Sequence, residues 1–71
     1  MSFTMQLIIN GNPRSFEEDS FNVAHLVAQL NLEGKRLAIE RNGEIVPRSQ
    51  FAIAQLVDGD RLEIVGAVGG G

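Results

Sequence analysis

Phe21-Asn22-Val23-Ala24-His25-Leu26-Val27-Ala28-Gln29-Leu30 is the stretch whose period decides the fold. Val23, Leu26, Val27 and Leu30 stand at i, i+3, i+4 and i+7, which puts them on one face of a helix of about two and a half turns. Asn22 is a suitable N-cap, its side-chain oxygen facing an orphan N–H of the first turn. Phe21 and Leu26 then occupy the positions of a hydrophobic staple. Ala24 and Ala28 add helix propensity and a thin profile for close packing. The acidic run Glu17-Glu18-Asp19 lies near the helix N-terminus, where negative charge is favoured. After Leu30, Asn31 and Gly34 can end the helix through left-handed dihedrals.

Outward from this helix the period changes to two. Phe3, Met5, Leu7 and Ile9 alternate with polar residues as a strand with one buried face, with Ile8 interrupting the polar side. Asn10-Gly11-Asn12-Pro13 is a hairpin turn, and Arg14–Phe16 the returning strand. On the other side of the helix, Leu37–Arg41 and Glu44–Val46 are strands joined by a second Asn-Gly turn, Asn42-Gly43. Pro47 removes a donor and limits the fourth strand. Residues 47–56 carry no clear period, and Phe51, Ile53 and Leu56 are expected to lie over the core. Asp58-Gly59-Asp60 is a turn before a last strand, Arg61–Val65, with Leu62 and Ile64 on one face. One helix against a mixed sheet of four or five strands accommodates this order, with the first and last strands as parallel neighbours. The expected fold is α+β, a β-grasp or ubiquitin-like roll over residues 1–66, followed by a flexible glycine-rich tail, residues 67–71.

Composition excludes several chemistries. The chain has 71 residues, 44% hydrophobic and 21% charged, in keeping with one folded domain with a small core. It has no cysteine, so a disulfide framework, a thiolate zinc site and a cysteine nucleophile are ruled out. A single histidine, His25, supplies neither His-rich metal coordination nor a two-histidine catalytic pair. Six Lys and Arg against nine Asp and Glu leave a net charge of −3, which argues against nucleic acid or an anionic membrane as the main partner. No apolar run approaches a membrane span and no basic leader precedes one, so the expected location is cytoplasmic.

No motif carries catalysis unaided. A phosphate-cradling P-loop is absent. Asp58-Gly59-Asp60 lacks the twelve-residue ligand series of a calcium loop and reads as a tight turn. Glu17, Glu18 and Asp19 read as a solvated helix entry. His25 has no companion nucleophile or orienting carboxylate and is assigned a structural role. Arg41, Arg48 and Arg61 are too dispersed for a phosphate patch, and Phe51 is assigned to core packing. What remains is the end: a strand that runs into Gly69-Gly70-Gly71. Glycine has no Cβ, so an extended glycine tail can enter a channel too narrow for any side chain and present the Gly71 carboxylate to another enzyme.

These pieces together resemble the bacterial thiamine-biosynthesis sulfur-carrier family, a branch of the ubiquitin-like proteins. The resemblance runs from about Met5 to Gly71. It rests on Met5-Gln6-Leu7 with Asn10-Gly11, the helix Val23–Leu30, and the run from Leu37 through Glu40-Arg41-Asn42-Gly43 to Arg48. It continues from Asp58-Gly59-Asp60 to Val65, and through Val68-Gly69-Gly70-Gly71. The resemblance implies a carrier rather than an enzyme, with no active site or cofactor of its own. An E1-like adenylyltransferase would activate the Gly71 carboxylate using ATP and Mg²⁺. A cysteine-desulfurase relay would then supply sulfur for a terminal thiocarboxylate, and thiazole synthase would receive it. Gly71 carries over as the modified terminus, with Gly69 and Gly70 as the thin tail that enters the partner. Gly66-Ala67 departs from the family, which commonly has a bulky or aromatic residue there. The small subunit of molybdopterin synthase, a protein-modifying ubiquitin-like role and a plain β-grasp binding domain are the competing readings.

Overall fold

The computed structural model describes residues 4–18 and 20–66. In chain order the elements are β1 (Met5–Ile9), β2 (Asn12–Phe16), α1 (Val23–Gln29), β3 (Leu37–Arg41), β4 (Glu44–Val46), a 3₁₀ turn (Arg48–Gln50) and β5 (Arg61–Gly66). The five strands form one mixed sheet in the order β2-β1-β5-β3-β4. β1 and β5 are parallel, while β1–β2, β3–β4 and β3–β5 are antiparallel. This is the expected β-grasp roll with the larger of the two strand counts. The last strand takes the centre of the sheet.

The two hairpins follow from their Asn-Gly pairs. Asn10 and Gly11 have φ of 51° and 84°, and Asn42 and Gly43 have 52° and 88°. Positive φ at both central residues gives a two-residue turn the twist of its flanking strands. Pro13 is accommodated because β2 is an edge strand, where a missing donor costs no ladder bond to a further neighbour.

α1 is closed at both ends. At its start the His25 N–H donates to Asn22 Oδ1 at 2.8 Å, and the Asn22 N–H donates to His25 Nδ1 at 3.4 Å. This capping box gives exposed His25 its structural role, the Nδ1 acceptor standing where Glu or Gln usually reaches back. The first turn itself holds no acidic residue, and its side-chain cap comes from Asn22. At the other end Asn31, with φ 60°, sends its N–H to the Ala28 carbonyl, and Leu32 sends its N–H to that of Val27. That pair of bonds is a Schellman closure with Asn in place of the commoner Gly.

The inward helix face, Val23, Leu26 and Val27, meets Met5, Leu7 and Ile9 of β1, Ile39 of β3, and Leu62 and Ile64 of β5. Phe21 and Leu56 complete this core, and the Phe21 ring stacks on Phe16 at 5.1 Å between centroids. Each large side chain fully removed from water contributes about 1.5–3 kcal/mol. Leu30 and Phe51 pack against the core from partly buried positions. Ile53 corrects the sequence reading: it is 69% exposed. Between Pro47 and Leu56 the chain turns with a spacing near three, so Phe51 and Ala54 face inward and Ile53 points out.

Candidate functional site

β5 is the element that leads to the glycines, so its anchoring is the geometry that matters. Five residue pairs hold it to β3, from Leu37 opposite Gly66 to Arg41 opposite Leu62. Its parallel pairing with β1 is shorter and stops at Ile9 opposite Leu62, because Asn10 turns away into the hairpin. A side chain takes over there. Ile64 donates its N–H to Asn10 Oδ1 at 2.8 Å, and Asn10 Nδ2 donates to the Ile64 carbonyl at 3.0 Å. The Asn10 main-chain N–H donates to the Leu62 carbonyl at 2.8 Å. The amide thus extends the ladder by one rung toward the tail.

Asn42 does the same from the opposite flank. Its N–H donates to the Arg61 carbonyl at 2.8 Å, and its Oδ1 accepts the Arg61 N–H at 3.0 Å. Its Nδ2 donates to Asp60 Oδ1 at 3.1 Å. Asp60 is 5% exposed, and its Oδ2 accepts from Arg41 Nε and Nη2, both at 2.8 Å, and from the Val57 N–H at 2.9 Å. A buried carboxylate with both oxygens hydrogen-bonded and a guanidinium beside it is stable in a setting where an unpaired one would be costly. In the same turn, Asp58 Oδ1 accepts the Gln6 N–H at 2.7 Å, and Gly59, at φ 89°, donates its N–H to the Gln6 carbonyl at 2.7 Å. Asp58-Gly59-Asp60 is therefore a clamp across the start of β5. No group of three or more residues able to hold a metal ion occurs among the described residues.

The other residues singled out in the sequence remain apart. Arg48 donates through Nη2 to the Lys35 carbonyl at 2.8 Å, Arg41 is committed to Asp60, and Arg61 is exposed. Glu17 is exposed and Glu18 half-buried, while Asp19 lies outside the described residues. Gly69, Gly70 and Gly71, and the boundary expected at residue 67, also lie outside them. Sequence reading missed the side-chain work of Asn10, Asn42 and Asp60. One signal was available: Arg41 shares the inward parity of Leu37 and Ile39, and a cation on that face requires a buried partner.

A ThiS family model matches residues 7–71, nearly the whole chain and including the three glycines. The chain belongs to the ThiS family. Among its relatives, the sulfur carrier protein ThiS of Bacillus subtilis is 37% identical over 65 residues, covering 92% of this chain and 98% of that protein. A thiazole synthase of Paramagnetospirillum magneticum is 46% identical over 67 residues, covering 94% of this chain. The chain spans 20% of the length of that enzyme. The crystal structure of the thiamine biosynthesis protein ThiS from Geobacter metallireducens superposes with a TM-score of 0.83 at 33% identity, covering 94% of this chain and all of that one. The sheet order and single helix are thus those of a ThiS-family β-grasp, a family of sulfur carriers of thiamine biosynthesis.

Proposed function

We propose that this chain carries sulfur for thiazole formation in thiamine biosynthesis, as a thiocarboxylate on Gly71. The observation that carries the reading is the family match over residues 7–71, which takes in both the anchored β5 and the glycines beyond it. In this reading the chain is a co-substrate, not an enzyme, and acts in the cytoplasm. A Gly71 carboxylate oxygen attacks the α-phosphorus of ATP in an E1-like adenylyltransferase, and pyrophosphate leaves. Sulfur delivered by a cysteine-desulfurase relay then attacks the acyl carbon, and AMP leaves. ATP and Mg²⁺ belong to the activating partner, where the metal offsets developing phosphate charge. The likeness to thiazole synthases supports that enzyme as the sulfur acceptor. The folded body contributes position: docking it turns a bimolecular encounter of Gly71 with ATP into an oriented one. Gly69 and Gly70 supply a tail without side chains, which fits a narrow channel.

The test is mass spectrometry of C-terminal fragments after incubation with the cognate adenylyltransferase, the sulfur relay and ATP. The expected product carries sulfur in place of one oxygen at Gly71, a gain of about 16 Da that must be resolved from methionine oxidation of similar mass. An unchanged carboxylate after incubation with active partners contradicts the reading.

A further inference from the structure

Toward its end β5 has less and less side-chain packing to hold it. Ile64 is its last core residue, 8% exposed, while Val65 is 57% exposed and Gly66 has no side chain to pack. The space beside the Gly66 Cα is open. Beyond Ile64 the course of the strand is therefore set by main-chain hydrogen bonds. On one flank β3 supplies them, with Ala38 opposite Val65 and Leu37 opposite Gly66. On the other flank β1 has already ended: its pairing stops with Ile9 opposite Leu62, and the chain turns off at Asn10 and Gly11. A strand paired along one edge only can pivot about that edge. The Asn10 side chain opposes the pivot by taking both polar groups of Ile64, its oxygen on the N–H at 2.8 Å and its nitrogen on the carbonyl at 3.0 Å.

Asparagine suits the place on two grounds. It tolerates the left-handed backbone of the hairpin, φ 51° here. Its amide also offers a donor and an acceptor side by side, where an aspartate offers acceptors only. The turn needs the first property alone, and glycine would meet that need. The bond pair, made to a residue 54 positions away, is surplus to the turn. We infer that Asn10 is a positioning residue for the reaction at Gly71, its amide fixing the line on which β5 hands the chain to the tail. Gly71 stands seven positions beyond Ile64. A misplacement of about 1 Å at a reacting group can cost on the order of 10²-fold in rate. A strand end already held to one direction leaves less to order once the body has docked, whichever enzyme takes the terminus. The effect therefore falls on the fraction of docked complexes with Gly71 in place rather than on docking itself. The inference rests on the carrier reading above.

The experiment is ATP–pyrophosphate exchange by the cognate adenylyltransferase against concentration of the full chain, at a temperature where circular dichroism shows each chain folded. Asn10→Gly keeps the turn and removes the amide. It is expected to lower kcat about tenfold with KM within about twofold. Val27→Ala trims a buried side chain of α1 and leaves the hydrogen bonds of β5 in place, so it should keep the wild-type kcat despite a lowered unfolding midpoint. In Asn10→Gly the N–H residual dipolar couplings of Val65 and Gly66 should shrink while those of Leu37–Arg41 hold. An unchanged kcat in Asn10→Gly, an equal fall in Val27→Ala, or unchanged couplings at Val65 and Gly66 overturns the positioning role while the carrier reading stands. Absence of exchange with the wild-type chain overturns both.

Discussion

The two Asn-Gly hairpins begin alike and end differently. Asn10 and Asn42 have nearly the same left-handed backbone, and each lays its side-chain amide along the main chain of β5. Asn10 grips Ile64, near the end of the strand that faces the tail, through two neutral hydrogen bonds. Asn42 grips Arg61 at the opposite end and also donates to buried Asp60, which joins it to Arg41 and Val57. One clamp is thus isolated and the other is part of a charged, buried network. The start of β5 is held more firmly than the end from which the glycines follow.

Asp60→Ala attacks the network itself and carries the largest expected effect. It strands the Arg41 guanidinium, the Asn42 amide and the Val57 N–H together, and should cost about 3–5 kcal/mol in urea unfolding. A loss below about 1 kcal/mol would show that these groups find water instead. Asn42→Gly comes next: glycine keeps the positive φ without strain, so only the side-chain bonds are lost. Those are one neutral bond and one to a charged group, together worth about 2–4 kcal/mol. Asn10→Gly removes two neutral bonds, about 1–3 kcal/mol, and hydrogen exchange should quicken at the Ile64 amide while Arg61 stays protected. Equal costs for the two glycine variants would erase the distinction between the clamps. The smallest effect belongs to Asn12→Ala, whose side chain makes only an exposed 3.4 Å bond to the Asn10 carbonyl. Stability should change by no more than about 0.5 kcal/mol, which assigns the Asn10 effect to its grip on β5 rather than to the turn.

The same contrast explains what could be read in advance. The hairpins and α1 were legible because Asn-Gly pairs and the Val23, Leu26, Val27 spacing act over a few residues. The grip of Asn10 on Ile64 spans 54 positions, and no local pattern announces it. Asp60 looked like an ordinary turn residue because its burial depends on β1, β3 and β5 meeting around it. Ile53 was misplaced inside the fold because apolar character was taken for burial where the turn spacing, not the residue type, decides which side faces in. The role proposed for Gly69, Gly70 and Gly71 is argued from the sequence alone, because it depends on lacking side chains, a property of the sequence itself.

The central claim separates the roles of body and tail, and deletion of Gly70 and Gly71 tests it most directly. A single preparation of the shortened chain is measured by thermal unfolding and by ATP–pyrophosphate exchange with the cognate adenylyltransferase. The account predicts an unchanged unfolding midpoint, because β5 ends at Gly66 and the buried cluster runs from Met5 to Ile64, together with complete loss of exchange. Exchange retained by the shortened chain would contradict it and return the molecule to a β-grasp binding domain whose tail is dispensable.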